Sequence, residues 1–299
     1  MKLPDLKKGI IAYSLGSIIL GGTGIFVRLA GTKIAPMTQS FGRIFFTFIL
    51  ISLFNLITKK FSSSFSIKKK HLPFFILNGL IGFSLMAASF TLAVLNTSMA
   101  NTYFLLYTAP IFVVILSYLF LKEKIKSSFY ISLLLSFIGL IFLFNPSNLT
   151  ENLNGNFFGL LTGFGFGSYI VITRYLGRFY SPTTITFWTQ LFGSIGLFPL
   201  IPIFDKTIVF SYSYSQWLPV LIAGLTVFSG YLLLNYGLKN IKAIFGSLLS
   251  LLEPLSSIVY GLLFFSEKLL SSTLLGSLLV IIALLYLTFQ QTKKPTVST

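Results

Sequence analysis

Two charged side chains, Arg43 and Glu253, stand inside long apolar stretches of the sequence. A charge in the interior of a bilayer costs at least about 2.5–3.5 kcal/mol, so such a side chain usually faces a cavity or a partner. Arg43, roughly 10 Å into its stretch at ~1.5 Å per residue, could clamp a substrate carboxylate or phosphate, or equally anchor one helix to another. Glu253 could carry a proton or bind a cationic group. The plainer alternatives are a pair with Arg43 or a cap for backbone that Pro254 leaves unbonded.

Polar-tipped side chains deep in the apolar stretches could complete such a site. We expect Tyr107, Trp188 and Asn235 at it as a group, because their polar tips need partners away from the interfacial positions that aromatic residues normally take. Each of them taken singly is more often a packing residue than a ligand. The same class of deep polar side chains includes Tyr103, Tyr169, Tyr231, Tyr236, Tyr260 and Gln190.

Catalysis and metal binding have few candidate residues in this chain. There is no cysteine and one histidine, His71, and the two aspartates, Asp5 and Asp205, fall outside the apolar stretches. We therefore expect no catalytic residue, no metal and no cofactor. The sequence also lacks G-x-S-x-G, H-E-x-x-H and any G-K dipeptide, which disfavours a serine hydrolase, a zinc protease and an ATP-driven pump.

The elements that must position these residues are membrane-spanning helices. The chain has 299 residues, of which 55% are hydrophobic and 9% charged, with a mean hydropathy of +0.88. An ordinary soluble domain is roughly a quarter charged, so we predict an all-α integral membrane protein. Apolar runs of the length that crosses a bilayer predict ten spans, and these are 9–30, 36–58, 72–95, 97–121, 127–145, 155–177, 182–204, 215–238, 243–265 and 270–290.

The formal charge of +16 invites a nucleic-acid function, but the distribution of the charges disfavours it. Lys and Arg lie almost entirely in the short breaks between spans, where they set membrane orientation. With the N-terminus inside, seventeen of them fall on the inner side and four on the outer side, with Arg43 left inside a span. We therefore expect both termini to be cytoplasmic, in the cell (inner) membrane of a prokaryote.

The two halves of the chain are copies of one another. Pro110 and Glu123 have the same separation as Pro254 and Glu267, 144 positions later. Arg28 meets Arg174 at a shift of 146. We predict two five-helix repeats, residues 1–147 and 148–299. Because five spans are an odd number, the second repeat enters the membrane from the opposite side, as in many secondary transporters.

The ends of two spans carry the acidic members of this repeated motif. Glu123 and Glu267 stand beside lysines, and exposed pairs of this kind are common and weak. We expect them to form solvated or interfacial pairs that mark or seal the ends of the fourth and ninth spans.

A family resemblance rests on this doubled motif. Leu251-Leu252-Glu253-Pro254 with Phe265-Ser266-Glu267-Lys268-Leu269, and Tyr107-Thr108-Ala109-Pro110 with Leu121-Lys122-Glu123-Lys124-Ile125, resemble the EamA type of the drug/metabolite transporter superfamily. Arg43 fits the arginine commonly found in the second helix of that family. The resemblance implies ten helices, cytoplasmic termini and a central cavity, and a cargo such as an amino acid or another small metabolite. One departure is Ala109, which stands where the second half has Glu253.

These observations predict a secondary transporter that works by alternating access and moves a small polar metabolite. An amino acid or derivative is favoured, because one cation and one anion near the centre could bind the two opposite charges of a zwitterion. Export is the expected direction. The alternatives are a channel, a lipid scramblase and, much less favoured, a membrane-embedded enzyme. The expected partners are a small-molecule substrate and the lipid bilayer, but no nucleic acid. Proton or cation coupling and a homodimer stay open.

Overall fold

The computed structural model describes residues 3–31, 33–58, 66–146, 149, 152–206 and 208–292. These residues form helices and short connections, and they contain ten helical stretches long and apolar enough to cross a membrane. The ten spans are Pro4–Ala30, Pro36–Ile57, Lys69–Asn96, Met99–Leu121, Ser127–Phe144, Leu153–Leu176, Pro182–Phe204, Tyr214–Asn240, Ala243–Phe265 and Ser271–Thr292. The predicted ten-helix fold class is confirmed.

Because the number of spans is even, the start of the first span and the end of the tenth lie on the same side of the membrane. We name that side the termini face and the opposite side the far face. Five lysines predicted for the inner side, Lys2, Lys59, Lys60, Lys293 and Lys294, lie outside the described residues. Large apolar side chains such as Leu263, Leu285 and Phe120 are 66–71% exposed on the surface of the helix bundle, as lipid contact requires.

Several spans consist of more than one helix. The first contains Leu3–Gly21 and Thr23–Ala30, and the seventh Pro182–Leu197 and Leu200–Phe204. In the third, a 3₁₀ turn at Lys69–His71 and the helix Leu72–Gly79 lead through a π-helical segment, Leu80–Leu85, to Met86–Asn96. The fourth contains Met99–Leu106, Ala109–Leu116 and the π-helical segment Ser117–Leu121, and the ninth contains Ala243–Leu249 and Leu252–Phe265.

The fourth and ninth spans are broken at corresponding places because each carries a proline there. Pro110 and Pro254 each lie within the first turn of the second helix of their span, where a missing N–H costs little. Both spans also end alike, since Lys122 and Ser266 take left-handed backbone conformations with φ of 53° and 51°. The repeat predicted from the prolines and glutamates is therefore visible in the backbone.

The two halves interlock across a pseudo-two-fold relation. The first span packs along the eighth and ninth, and the sixth packs in the same way along the third and fourth. The second span contacts the seventh, and the fifth contacts the tenth, so those pairs join equivalent helices of the two halves. The chain is thus a pair of inverted five-helix repeats in which each half is packed chiefly on the other.

Glycines permit this close packing. A Cβ at Gly163 of the sixth span would lie 2.7 Å from the Leu105 carbonyl oxygen of the fourth. Gly163 belongs to a series with Gly159 and Gly167 at four-residue spacing, which is typical of tight helix contacts in membranes.

The halves differ in two places that shape the interior. The first span breaks at Gly22, whereas its counterpart, the sixth, is one continuous helix, Leu153–Leu176. The third span has the π-helical segment, and its counterpart, the eighth, is continuous from Tyr214 to Asn240. The irregular members of both pairs line the cavity described below.

Candidate functional site

A cavity of about 910 Å³ lies between the two halves and opens at the far face. Its mouth is formed by the far-face ends of spans, including Arg28, Pro36, Leu95, Met99 and Glu267. Among the described residues, its lining includes none from the connections on the termini face. The cavity is therefore a blind pocket in this conformation.

Arg43 lines the cavity from the second span. That helix starts at Pro36, so Arg43 lies two turns further into the span. Its guanidinium has one recorded partner, the Ser40 hydroxyl at 3.4 Å, and that hydroxyl is itself 3.1 Å from Thr91. The Arg43 Nε is buried without a hydrogen-bond partner. A guanidinium has five N–H donors, so most of its donor capacity is unused by the described residues.

Glu253 lines the same cavity from the ninth span, beside Pro254. The first span reaches the Glu253 backbone closely because Gly21 has no side chain: a Cβ there would lie 2.5 Å from the Glu253 carbonyl oxygen. The described residues form two ion pairs, and neither includes Glu253 or Arg43. The two central charges therefore share one cavity without pairing to each other, which is contrary to the first of the two plainer alternatives for Glu253, the pair with Arg43.

One wall of the cavity is aromatic. Tyr103, Tyr107 and Phe144 lie nearly parallel, with ring centroids 5.9–6.4 Å apart and interplanar angles of 9–15°. All three line the cavity. An amphiphilic solute would therefore meet charged groups on the second and ninth spans and flat apolar faces on the fourth and fifth.

Three aromatic rings close the bottom of the cavity, and we name them the aromatic plug: Phe83, Tyr169 and Tyr231. Their centroids are 4.6 Å apart for Phe83 and Tyr231, 5.1 Å for Tyr169 and Tyr231, and 5.4 Å for Phe83 and Tyr169. Phe83 and Tyr231 touch the cavity, and Tyr169 lies beyond them. The plug separates the cavity from the termini-face half of the molecule.

The structure brings together three of the five predicted substrate residues, Arg43, Tyr107 and Glu253. It places the other two outside the cavity lining. Asn235 is buried below the plug, where its Oδ1 accepts from the Tyr169 hydroxyl and its Nδ2 donates to Thr186 at 2.7 Å. Trp188 packs among aromatic rings of the third and seventh spans, with Phe192 at 5.8 Å.

An ion pair stands at the mouth of the cavity. Arg28, at the end of the first span, pairs with Glu267, which follows the ninth span, and both side chains line the mouth. They are 57% and 49% exposed. The Arg28 guanidinium also lies 4.1 Å from the centroid of the Phe265 ring.

The corresponding pair on the termini face is buried. Arg174 ends the sixth span, and its Nε lies 3.5 Å from Oε1 of Glu123, which follows the fourth. These side chains are 16% and 6% exposed. Arg174 Nη1 also donates to the carbonyl oxygens of Leu238 and Lys239, at 2.8 and 2.7 Å.

Both glutamates form ion pairs at the ends of spans, but only Glu267 lies in the exposed setting expected for both, because Glu123 is buried. The adjacent lysines suggested local pairs, whereas each glutamate pairs with an arginine of the other half. The signal was present in the repeat, because Arg28 and Arg174 are equivalent, as are Glu123 and Glu267. The motif prolines Pro110 and Pro254 are buried where the fourth and ninth spans resume after their breaks.

Metal binding has no support in the described part of the chain. It contains no group of three or more His, Asp and Glu side chains that could hold an ion.

Comparisons with known proteins agree with this architecture. The model of the EamA-like transporter family matches residues 7–145 and again residues 153–289. A solved crystal structure superimposes with a TM-score of 0.79 at 14% identity, covering 94% of this chain and 98% of that one, which shows the shared fold.

Several curated relatives resemble the chain along its length. An uncharacterized transporter of Archaeoglobus fulgidus is 28% identical, over 94% of this chain and 96% of its own. One of Clostridium kluyveri is 24% identical, over 93% and 92%. The pseudopaline exporter CntI of Pseudomonas aeruginosa is 22% identical, over 98% and 100%.

Proposed function

Because the chain belongs to the EamA-like transporter family, we propose that it moves a small polar metabolite across the membrane by alternating access, an amino acid or derivative being favoured. One observation carries the choice of substrate class. Arg43 and Glu253, a cation and an anion without an ion-pair partner among the described residues, line the same cavity. Two such charges suit a solute that bears both a carboxylate and an ammonium group.

The chemistry of the cavity supports this choice. The unused donors of Arg43 can hold a carboxylate in a bidentate fashion, and Glu253 can accept from an ammonium. The parallel rings of Tyr103, Tyr107 and Phe144 offer a flat surface to an apolar substituent. A volume of about 910 Å³ is within the range of small-molecule sites and exceeds what a single small amino acid would fill.

Alternating access is supported by the shape and symmetry of the protein. The cavity is open at one face and sealed by the aromatic plug and packed helices toward the other. An inverted repeat can exchange the conformations of its halves, so a state open at the opposite face has a comparable structure.

We further propose that the chain lies in the inner membrane of a prokaryote with its termini in the cytoplasm and that it exports its substrate. The orientation rests on the excess of Lys and Arg in the predicted inner connections. The direction is supported by the pseudopaline exporter among the relatives. In this orientation the cavity faces the outside. Proton coupling would fall naturally to Glu253, and a homodimer stays a prediction.

The test is thermal stabilisation of the purified protein by a panel of amino acids, their derivatives, nucleotides and sugars. Binding to the native state raises the melting temperature by mass action. A ligand at a hundredfold excess over its Kd adds about 2.7 kcal/mol to the free energy of unfolding. We expect a zwitterionic ligand to stabilise the protein. Arg43→Ala and Glu253→Gln should each abolish this shift, and Arg178→Ala, an exposed arginine on the termini face, should keep it.

Transport by proteoliposomes of the ligand so identified is the second measurement. We expect uptake to fall at least about tenfold in Arg43→Ala and Glu253→Gln, as loss of a charged contact predicts. A ligand that binds and moves equally well in both variants would overturn the proposed substrate site. Stabilisation by lipids alone would instead favour a scramblase.

A further inference from the structure

The two inter-half ion pairs occupy equivalent places in the repeat but differ in their surroundings. We propose that Glu123 and Arg174 latch the termini-face gate, that Arg28 and Glu267 are the matching pair of the far-face gate, and that the polar side chains buried behind the closed latch line a second vestibule. This proposal rests on the alternating access proposed above, and it assigns the residues that would control it.

The two ion pairs differ in how the neighbouring turns cover them. On the termini face, the turn between the eighth and ninth spans covers the latch. Arg174 donates to the Leu238 and Lys239 carbonyl oxygens, and the Ala243 N–H lies 3.4 Å from Oε1 of Glu123. That turn ties the sixth, fourth, eighth and ninth spans together at one point.

The equivalent turn on the far face makes no hydrogen bond to its pair among the described residues. The third span ends at Asn96 and the fourth starts at Met99, 144 positions before Asn240 and Ala243. The counterparts of Leu238 and Lys239 are therefore Val94 and Leu95. Val94, Leu95 and Met99 all line the open cavity together with Arg28 and Glu267. The residues of a far-face gate thus surround the mouth, but the turn does not cover the ion pair as its counterpart does on the termini face.

The closed side contains polar counterparts of the residues that line the open cavity. Residues of the open cavity map through the repeat onto residues buried toward the termini face: Ser40 onto Thr186, Arg43 onto Thr189 and Gly261 onto Ser117. All three counterparts are 1% exposed or less. A set of hydroxyl side chains thus occupies the place where an inward vestibule would form.

Unpaired polar atoms in this region give independent support. The Ser117 hydroxyl, the Asn78 Oδ1, both amide atoms of Gln190 and Oε2 of Glu123 are buried without a hydrogen-bond partner. An unsatisfied buried polar group costs about 1–3 kcal/mol, so such a cluster calls for a reason. A second conformation in which water reaches these atoms supplies one, because the cost is then relieved when the gate opens.

The absence of cysteine from the sequence makes the proposal directly testable. Two single-cysteine reporters, Ser117→Cys behind the latch and Ser257→Cys on the wall of the open cavity, are labelled with a hydrophilic maleimide in nanodiscs. Both faces are accessible there, so labelling reports the gates and not the orientation of the protein. In the otherwise unchanged chain we expect Ser257→Cys to react and Ser117→Cys to be protected.

Releasing the latch should reverse this pattern. Glu123→Gln, which removes the anion, should raise the labelling rate of Ser117→Cys by about tenfold and lower that of Ser257→Cys, as expected for a population shift. Glu267→Gln is the matched control at the equivalent position, and it should leave Ser117→Cys protected. Equal labelling of Ser117→Cys in the Glu123→Gln, Glu267→Gln and unchanged backgrounds would overturn the assignment of the latch.

The two reporters also separate this proposal from alternating access. If Glu123→Gln exposes Ser117→Cys while Ser257→Cys stays fully reactive, the latch assignment stands and the pathway opens at both ends, as in a channel. If Ser117→Cys stays protected while an identified ligand is still transported, the latch assignment fails alone.

A cross-link across the termini face tests the closed gate without a labelling reagent. An ideal Cβ at Gly177 lies 3.6 Å from Cβ of Lys239, which is within the range for a disulfide. In the double variant Gly177→Cys/Lys239→Cys, mild oxidation should join the sixth and eighth spans in most molecules. Adding Arg174→Ala should slow the reaction. Failure to cross-link would contradict a closed termini-face gate.

Discussion

The two ends of the pathway carry the same pair of residue types and differ in what surrounds them. At the far face Arg28 and Glu267 are about half exposed, and the residues that flank the neighbouring turn line the mouth without a hydrogen bond to the pair. At the termini face Arg174 and Glu123 are mostly buried, and two backbone carbonyls and one N–H also contact them. One motif, copied by the repeat, can therefore be exposed or buried according to the conformation of the half that covers it.

Breaking each pair should give the largest difference between the two ends. Removing one partner of a buried ion pair costs about 3–5 kcal/mol, because the other charge is left buried and unpaired, whereas an exposed pair contributes about 0–1 kcal/mol. Arg174→Ala should therefore destabilise the protein strongly and Arg28→Ala only slightly. The melting temperatures of the two variants in one detergent check this. Similar losses in both would mean that the buried surroundings of Arg174 carry no extra stability.

Packing beneath the far-face mouth should give the next largest effect. A Cβ at Gly21 would lie 2.5 Å from the Glu253 carbonyl oxygen, a backbone atom that cannot move aside easily. Gly21→Ala should cost about 1–3 kcal/mol through overpacking. Gly24→Ala, three residues along the same span, is the matched control, since its nearest neighbour is the Ser257 hydroxyl at 3.9 Å. It should be neutral or stabilising by up to about 1 kcal/mol, since alanine favours helix over glycine.

The same substitution at the other end sharpens this comparison. A Cβ at Gly167, the counterpart of Gly21, would lie 3.1 Å from the Ala109 carbonyl oxygen. Gly167→Ala should therefore cost less than Gly21→Ala in the same thermal assay. The reverse order would show that the contact between the first and ninth spans yields more readily than its geometry indicates.

An unsatisfied hydroxyl on the closed side should give a smaller effect of opposite sign. Replacing the buried Ser117 by alanine removes an unpaired polar group, which should stabilise this conformation by about 1 kcal/mol. We expect Ser117→Ala to melt higher than the unchanged chain. It should also slow labelling of a Thr189→Cys reporter, because the open state loses a hydrated group. A lower melting temperature would mean that Ser117 has a partner in the dominant conformation.

The sequence was sufficient for the ten spans because their apolar length has one physical explanation, the thickness of a bilayer. It could not supply the start of the first helix at Leu3, since the exposed residues Asp5, Lys7 and Lys8 continue the helix beyond the apolar stretch. Depth in a span also does not reveal the direction of a side chain. Arg43, Tyr107 and Glu253 face the cavity, whereas Trp188 at a similar depth packs among rings of the third and seventh spans.

The partners of Glu123 and Glu267 depend on tertiary packing. Local spacing favours the neighbouring lysines, but the inverted repeat places the ends of the fourth and sixth spans at one face, where Arg174 outcompetes them for Glu123. The break at Gly22 and the π-helical segment Leu80–Leu85 likewise depend on the conformation that each half adopts. Such features differ between equivalent helices and therefore cannot follow from residues that the repeat shares.

The smallest predicted effect tests whether the two ends have equivalent backbones, whatever side chains they carry. Lys122 and Ser266 end equivalent helices with φ of 53° and 51°, a left-handed conformation that glycine adopts without steric cost. Lys122→Gly and Ser266→Gly should each stabilise the protein by a few tenths to about 1 kcal/mol, since relief of strain is partly offset by the flexibility of glycine in the unfolded chain. Equal gains in melting temperature would mean that the same backbone frame supports both gates, and that burial of the Arg–Glu pair alone distinguishes the closed end from the open one. A gain at Ser266 with a loss at Lys122 would instead show that the lysine itself contributes to the closed latch beside Glu123.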